Sequence, residues 1–119
     1  MPAKPFEASV RSQPDAQPPA VVIDLHGEIN ATAEARLHAA YAEAEAQNPP
    51  TIVLNFGEVS YINSTGIALI VGLLARARKA KRRLLVFGLN PHYQEIFQIT
   101  RLADFMTVCQ DEASALAGG

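Results

Sequence analysis

The sequence contains little cysteine, little net charge and no long hydrophobic run. Cys109 is the only cysteine, which excludes an intramolecular disulfide and a cysteine metal cluster and is typical of a reducing compartment. The formal net charge is -2, and the basic residues form one short run without interleaved aromatics, so nucleic acid is not an expected partner. The longest apolar stretch, residues 67–75, is far shorter than the roughly 20 residues of a membrane span.

Metal-ligand spacing and a secretion signal are also missing. The three histidines, His26, His38 and His92, lie in separate segments, and we expect each to be solvated or at the edge of the core. The first five residues contain no apolar run of the signal-peptide type. These features predict a cytoplasmic protein that binds no metal and no cofactor.

The hydrophobic pattern predicts one α/β domain over residues 1–119, with residues 1–5 and 117–119 disordered. Strands are predicted at residues 6–11, 21–26, 51–56, 83–88 and 106–109, and helices at 31–47, 64–79, 91–99 and 111–116. Gly57 is expected to end the third strand. Strand–helix alternation requires parallel neighbours, whereas the first two strands are joined by a short proline-rich loop. We therefore expect a mixed, mostly parallel sheet of four or five strands, with helices mainly on one face.

Three polar residues and a glycine lie where the third strand gives way to an apolar helix. Asn63, Ser64 and Thr65 are each suitable as the capping residue of that helix, and Gly66 falls within its first turn, where it would expose the backbone to an approaching group. The first N–H groups of a helix lack partners within it, and its dipole favours negative charge there. A phosphate is well accommodated at such a point.

A helical wheel divides this helix into two faces. The face expected to contact the sheet comprises Ile67, Ile70, Val71, Leu74 and Ala77. The opposite face comprises Ala68, Gly72, Arg76 and Lys79, with Leu69 and Leu73 at its rim. Two interpretations remain open: the second face is a docking surface, or Leu69 and Leu73 pack beneath a neighbouring element.

A basic run at residues 76–83 follows at the end of the same helix. Cations at this end interact favourably with the helix dipole, so a solvated helix end is the favoured interpretation. A docking patch for an acidic partner is the alternative.

Three sequence motifs resemble the STAS domains of bacterial anti-sigma factor antagonists. They are Val59-Ser-Tyr-Ile-Asn-Ser-Thr-Gly-Ile-Ala-Leu-Ile70, Leu25-His-Gly-Glu-Ile-Asn30 and Phe87-Gly-Leu-Asn-Pro91. The resemblance implies that Ser64, or alternatively Thr65, is phosphorylated by a serine kinase that is also an anti-sigma factor, and that a phosphatase reverses this. It implies a partner-binding surface comprising Glu28, Asn30, Asn63, Ser64, Thr65, Gly66, Ala68, Leu69, Gly72 and Leu73. The oligomeric state is left open.

The chain departs from the family pattern at two positions. The family commonly has aspartate where this chain has Asn30 and Asn63, and asparagine keeps the capping geometry while removing two negative charges. A constitutive scaffold subunit of a larger signalling or transporter-associated complex is therefore the alternative to a phosphoswitch. An enzyme is not expected, because Ser64 has neither a Gly-x-Ser-x-Gly elbow nor a histidine base at a recognisable spacing, and no P-loop lysine follows Gly66.

Overall fold

The computed structural model describes residues 5–118, so the expected disorder of residues 1–4 and 119 lies outside the described residues. The strands are β1 (Glu7–Gln13), β2 (Ala20–Ile29), β3 (Thr51–Ile62), β4 (Arg83–Phe87) and β5 (Thr107–Cys109). The helices are α1 (Glu34–Ala46), α2 (Ser64–Lys79), α3 (Pro91–Ile99) and α4 (Glu112–Leu116), with 3₁₀ turns at Ala31–Ala33 and Leu102–Asp104. At the carboxyl end, the carbonyl of Gly118 accepts a hydrogen bond of 2.7 Å from Arg83.

The five strands form one sheet in the order β1-β2-β3-β4-β5. The outermost strand β1 is antiparallel to β2, and all the other neighbours are parallel, which confirms the predicted mixed sheet. Each crossover steps to the next strand in the same direction. Because parallel crossovers share one hand, α1, α2 and α3 all lie on the same face of the sheet.

The two faces of the sheet differ greatly in how much they bury. The larger core joins alternate residues of the strands to α1, α2 and α3, and it includes Ile23, Ile52, Leu37, Leu73 and Phe97, each with 0% exposure. The smaller core on the opposite face packs Val22, Val53 and Leu85 against Ala115 of α4. Since burying a large aliphatic side chain contributes about 1.5–3 kcal/mol, the three-helix face supplies most of the stability.

Strands β2 and β3 extend further than the sequence pattern predicts. Gly57 does not end β3, so that prediction was wrong: its N–H donates to the Asn55 side chain (2.9 Å), and the strand continues to Ile62 alongside β2. The ladder contains irregular register shifts in this stretch, while β4 pairs only with residues 51–55 of β3. The extension carries the ends of β2 and β3 beyond the rest of the sheet.

Asparagine and aspartate side chains begin the helical segments. Asn30, Asn63, Asn90 and Asp111 each accept a hydrogen bond from a backbone N–H two or three residues later. The predicted boundaries of α2 and α3 are confirmed to the residue. No helix within residues 5–118 is long and apolar enough to cross a membrane.

Candidate functional site at the start of α2

The candidate site is the junction between the ends of β2 and β3 and the start of α2. Ile29 and Ile62 are paired neighbours at the ends of the two strands, and the N–H of Asn63 donates to the Ile29 carbonyl oxygen over 3.2 Å. Asn30 and Asn63 therefore follow the ends of adjacent strands. The two asparagines that distinguish this chain from the family pattern belong to one local surface.

Asn63 is the residue that caps α2. Its Oδ1 accepts a hydrogen bond from the N–H of Gly66 (2.8 Å), and its carbonyl accepts one from Ile67 (2.9 Å). Ser64 is then the first residue of the helix and is exposed, as is Thr65. Because the cap is supplied by Asn63, helix capping does not require the hydroxyl of Ser64.

Gly66 is buried where α2 touches β2. A Cβ at this position would lie 2.1 Å from the Ile29 carbonyl oxygen and 2.9 Å from the Ile62 Cγ2 atom. The prediction that Gly66 exposes the backbone to an approaching group was therefore wrong. Glycine is required because the start of α2 packs directly on the backbone of Ile29 at the end of β2.

Asn30 and Glu28 complete the polar edge of the junction. The Asn30 Oδ1 accepts hydrogen bonds from the N–H (3.0 Å) and the hydroxyl (2.6 Å) of Thr32, so Asn30 starts the turn into α1 as predicted. Glu28 is half-buried and pairs with Tyr61 across the β2–β3 ladder. The structure thus brings Glu28, Asn30, Asn63, Ser64, Thr65 and Gly66 together at one end of the sheet.

Tyr93 is a positioning residue that the sequence did not reveal. Its hydroxyl accepts a hydrogen bond from the buried N–H of Ile62 (2.9 Å), which ties α3 to the last residue of β3. This bond joins residues 31 positions apart, so no local pattern indicates it. The only available signal was a large polar aromatic three residues after the Asn90 cap.

The outward face of α2 differs from the helical-wheel prediction in two positions. Leu73 has 0% exposure and packs in the core, so it is not available to a partner, and Val71 is 44% exposed rather than facing the sheet. The helix lies rotated relative to the wheel because its start is fixed by the close contact at Gly66. The exposed stripe that continues from Ser64 consists of Ala68, Val71, Gly72 and Ala75, with Leu69 half-buried beside it.

The surroundings of Ser64 favour an added negative charge. The first turn of α2 contains no acidic residue, so no carboxylate there competes for the positive end of the helix dipole. The N–H groups of Ser64 and Thr65 belong to the first turn, where the helix itself offers no acceptor. A group attached at the Ser64 hydroxyl would be next to these donors.

The same architecture occurs in proteins of one known structural class. An anti-sigma factor antagonist from Mycobacterium paratuberculosis superposes with a TM-score of 0.78 at 19% identity, over 96% of this chain and 93% of that one. SpoIIAA from Bacillus in its phosphorylated form gives a TM-score of 0.66 at 24% identity, over 93% of this chain and 96% of that one. These likenesses define the SpoIIAA-like fold.

Sequence comparison assigns the family. The STAS domain model matches residues 9–115, and the chain therefore belongs to the STAS domain family. An anti-sigma-B factor antagonist of Listeria monocytogenes is 29% identical to it over 86 residues, which cover 72% of this chain and 75% of that protein.

Proposed function

We propose that this protein is an anti-sigma factor antagonist that works as a phosphorylation-controlled binding switch. In its unphosphorylated form it binds a serine kinase that is also an anti-sigma factor, and phosphorylation of Ser64 ends that binding. The observation that carries the proposal is the placement of Ser64. It is exposed and is the first residue of α2, and the cap of the helix is supplied by Asn63 instead. It also adjoins the exposed stripe of small residues on α2. The name of the Listeria relative supports the same role.

The fold should tolerate a phosphate at Ser64. A phosphate adds about 1.5 to 2 negative charges, and at a helix start the dipole and the unpaired N–H groups offset part of its cost, by up to about 1 kcal/mol. Asn63 keeps its own bond to Gly66 whether or not Ser64 is modified, because its Oδ1 is the acceptor. Modification should therefore leave the protein folded.

The partner interface is where the phosphate acts. In the proposed surface the exposed residues Ala68, Gly72 and Ala75, together with Leu69, contact the kinase, while Glu28, Asn30 and Thr65 form its edge near Ser64. Burying a phosphate beside apolar groups requires its dehydration without compensation. A cost of about 3 kcal/mol would weaken binding by more than a hundredfold.

A capture experiment tests this proposal. Tagged wild-type, Ser64→Ala and Ser64→Asp proteins are incubated with lysate of the source cell, and bound proteins and phosphosites are identified by mass spectrometry. We expect one protein with a serine kinase domain on the wild-type and Ser64→Ala proteins, its loss from Ser64→Asp, and a phosphate on Ser64. The matched variant Thr65→Ala should still be phosphorylated. A phosphate on Thr65 alone, or equal capture by Ser64→Asp, would contradict the proposal.

A constitutive scaffold subunit is the second candidate, and the neutral Asn30 and Asn63 are the observation that favours it. Their side chains are occupied in capping bonds and supply no charge for steering a kinase. A scaffold subunit should elute from size-exclusion chromatography of lysate in a large complex whatever the state of Ser64. A switch should change its elution when Ser64→Asp replaces the wild type.

A further inference from the structure

A cavity lies between the carboxyl ends of β3 and β4 and the start of α3. It has a volume of about 150 Å³. One wall is the part of β3 that extends beyond β4, and another is the turn from Gly88 to Asn90. Gly57 and Asn90 are exposed, so the cavity opens to solvent on their side. Neither residue belongs to the surface proposed for the kinase.

Two glycines make room for this cavity where β4 ends. Gly88 has a φ of +84°, and a Cβ there would lie 2.6 Å from the nitrogen of Gly57. Position 88 therefore requires glycine, and the chain leaves the sheet at the point where the two backbones touch. Beyond this point β3 continues to Ile62 without β4 beside it. The cavity occupies the gap next to the extended part of β3.

The lining of the cavity is uncharged and mainly apolar. Phe56, Ile62 and Leu89 are buried, Val59 is half-buried, and no residue of the lining carries a charge. A charged ligand would lose its hydration here without gaining an opposite charge, so the cavity favours a neutral ligand. Its volume is about that of an apolar cavity that holds one benzene molecule, which limits the ligand to a single small ring.

The polar side chains of the lining are Asn90 and Tyr93, and both have a hydrogen-bond donor to spare. The Asn90 Oδ1 is occupied, because it accepts from the N–H of Tyr93 (2.9 Å). The Tyr93 hydroxyl accepts from the N–H of Ile62 (2.9 Å). No group within residues 5–118 accepts the hydroxyl proton of Tyr93 or a proton of the Asn90 Nδ2. A ligand that fits these two side chains must offer an acceptor.

Tyr93 gives the stronger indication of a ligand. Its side chain is almost fully enclosed, since the residue is only 6% exposed. Tyr93 and Ile62 both line the cavity, so the hydrogen bond between them lies at the cavity wall. A buried hydroxyl is stabilised when its proton also has an acceptor. An acceptor inside the cavity would meet this requirement.

We propose that the cavity binds a small neutral carbonyl compound of about the size of benzene, such as a cyclic ketone. The carbonyl oxygen has two lone pairs, which would accept hydrogen bonds from the Tyr93 hydroxyl and the Asn90 Nδ2. The apolar ring would pack against Phe56, Val59 and Leu89.

The ligand would also act on the strand end that leads to Ser64. An acceptor for the Tyr93 proton polarises the hydroxyl and strengthens the bond that it accepts from the Ile62 N–H. Ile62 is followed by Asn63, the cap of α2, and then by Ser64. The cavity would thus be an effector site beside the phosphoacceptor. This consequence rests on the proposed function, whereas binding itself does not.

Two probes of equal shape test the proposal without a kinase. Cyclopentanone and methylenecyclopentane differ in the carbonyl oxygen, and each is added to the full chain and followed by ¹H–¹⁵N NMR. We expect saturable binding of cyclopentanone with a Kd of about 1 mM, in the range for so small a ligand. Methylenecyclopentane should bind at least about tenfold more weakly, because it cannot accept a hydrogen bond. Amide shifts should centre on residues 56–62 and 88–93, and hydrogen exchange of the Ile62 amide should slow.

Three variants make the test specific. Asn90→Asp keeps the acceptor that caps α3 but removes the Nδ2 donor, so it should fold and bind cyclopentanone about tenfold more weakly. Gln98→Glu is the matched control, because it makes the same change from amide to carboxylate at an exposed position of α3 outside the cavity lining, and it should bind as the wild type does. Tyr93→Phe, checked for folding by circular dichroism, should reduce the preference for cyclopentanone over methylenecyclopentane.

The proposal is overturned if cyclopentanone does not bind, if methylenecyclopentane binds as tightly, or if Asn90→Asp binds cyclopentanone as the wild type does. Unchanged exchange of the Ile62 amide in the bound protein would overturn the link to the start of α2. None of these outcomes bears on the phosphorylation of Ser64, so each leaves the proposed function standing.

Discussion

Two polar networks hold this fold together on opposite faces of the sheet, and they differ in charge. At the start of α2, the bonds are made by neutral groups: Asn63 caps the helix, and Tyr93 accepts from Ile62. On the opposite face, Arg11 bonds Asp24 (2.5 and 3.0 Å) and Glu112 (2.5 and 3.3 Å). The second network pairs one guanidinium with two carboxylates, whereas the hydrogen bonds of the first involve no charged group.

This difference supports the start of α2 as the place of the proposed switch. A phosphate introduced at Ser64 meets helix N–H groups and no acidic residue in the first turn, and it adds an exposed negative charge to a surface on which Glu28 is half-buried. At the Arg11 network an added charge would compete with existing partners and disturb the packing of α4. Phosphorylation would therefore change the surface charge at the start of α2 while leaving the Asn63 and Tyr93 hydrogen bonds intact.

The largest effect on stability is expected at Gly66, where the start of α2 packs against β2. Gly66→Ala should destabilise the protein by about 3 kcal/mol or more, because the added Cβ would lie 2.1 Å from the Ile29 carbonyl oxygen and the backbone there cannot move aside. Urea denaturation of the wild-type and variant proteins measures the difference.

Gly72→Ala is the matched control in the same helix. A Cβ at position 72 meets nothing within 4 Å, so the better helix propensity of alanine should stabilise the protein by about 0.5–1 kcal/mol. Equal effects of the two substitutions would contradict the close packing assigned to Gly66.

The contribution of the Arg11 network to the free energy of unfolding should decrease at acid pH. Hydrogen bonds from Arg11 lower the pKa of Asp24 below its usual range. Because the folded-state pKa lies below the unfolded one, the stabilisation is complete above about pH 5 and is lost as pH falls through the folded-state pKa. Arg11→Gln should cost about 1–2 kcal/mol at neutral pH, an estimate reduced for solvent screening because the Arg11 side chain is 39% exposed.

Denaturation from about pH 5 to pH 2 tests this assignment. The difference in the free energy of unfolding between wild type and Arg11→Gln should shrink as pH falls, until the two proteins are nearly equal in stability. The pKa of Asp111 is also lowered, by the Ser114 backbone, but it is shared by both proteins and cancels in the comparison. A stability difference that stays constant with pH would show that Asp24 is not the group involved.

A smaller effect on stability is expected at Asn63, the residue that caps α2. Asn63→Ala should destabilise the protein by about 1 kcal/mol, because the N–H of Gly66 loses its acceptor. Asn63→Asp restores the acceptor and should recover wild-type stability near pH 7. Thermal unfolding of the three proteins measures both changes. A loss of stability in Asn63→Asp equal to that in Asn63→Ala would contradict the capping role.

The smallest effect on stability is expected at Ser64 itself. Ser64→Asp should change the free energy of unfolding by no more than about 1 kcal/mol, since Ser64 neither caps the helix nor packs in the core. Chemical denaturation beside the wild type measures it. A large loss would place the Ser64 hydroxyl in the fold rather than in a switch.

Local sequence patterns predicted where the helices begin and end but not how they are rotated and packed on the sheet. Asn63 and Asn90 are caps that lie beside their helices in sequence, so the starts of α2 and α3 followed from the residues alone. The outward position of Val71 and the inward position of Leu73 did not follow from the residues alone. They depend on the rotation of α2, which is set by the contact between Gly66 and Ile29. The continuation of β3 past Gly57 likewise depends on pairing with β2. The Tyr93 bond joins distant residues and left no local signal.

The most direct test of the switch is the affinity of the captured kinase for two forms of this protein. Isothermal titration calorimetry should compare the unmodified protein with the same protein phosphorylated on Ser64, both checked for folding by circular dichroism. We predict that the phosphorylated form binds more than a hundredfold more weakly while retaining its fold. Equal affinity of two folded forms would contradict it.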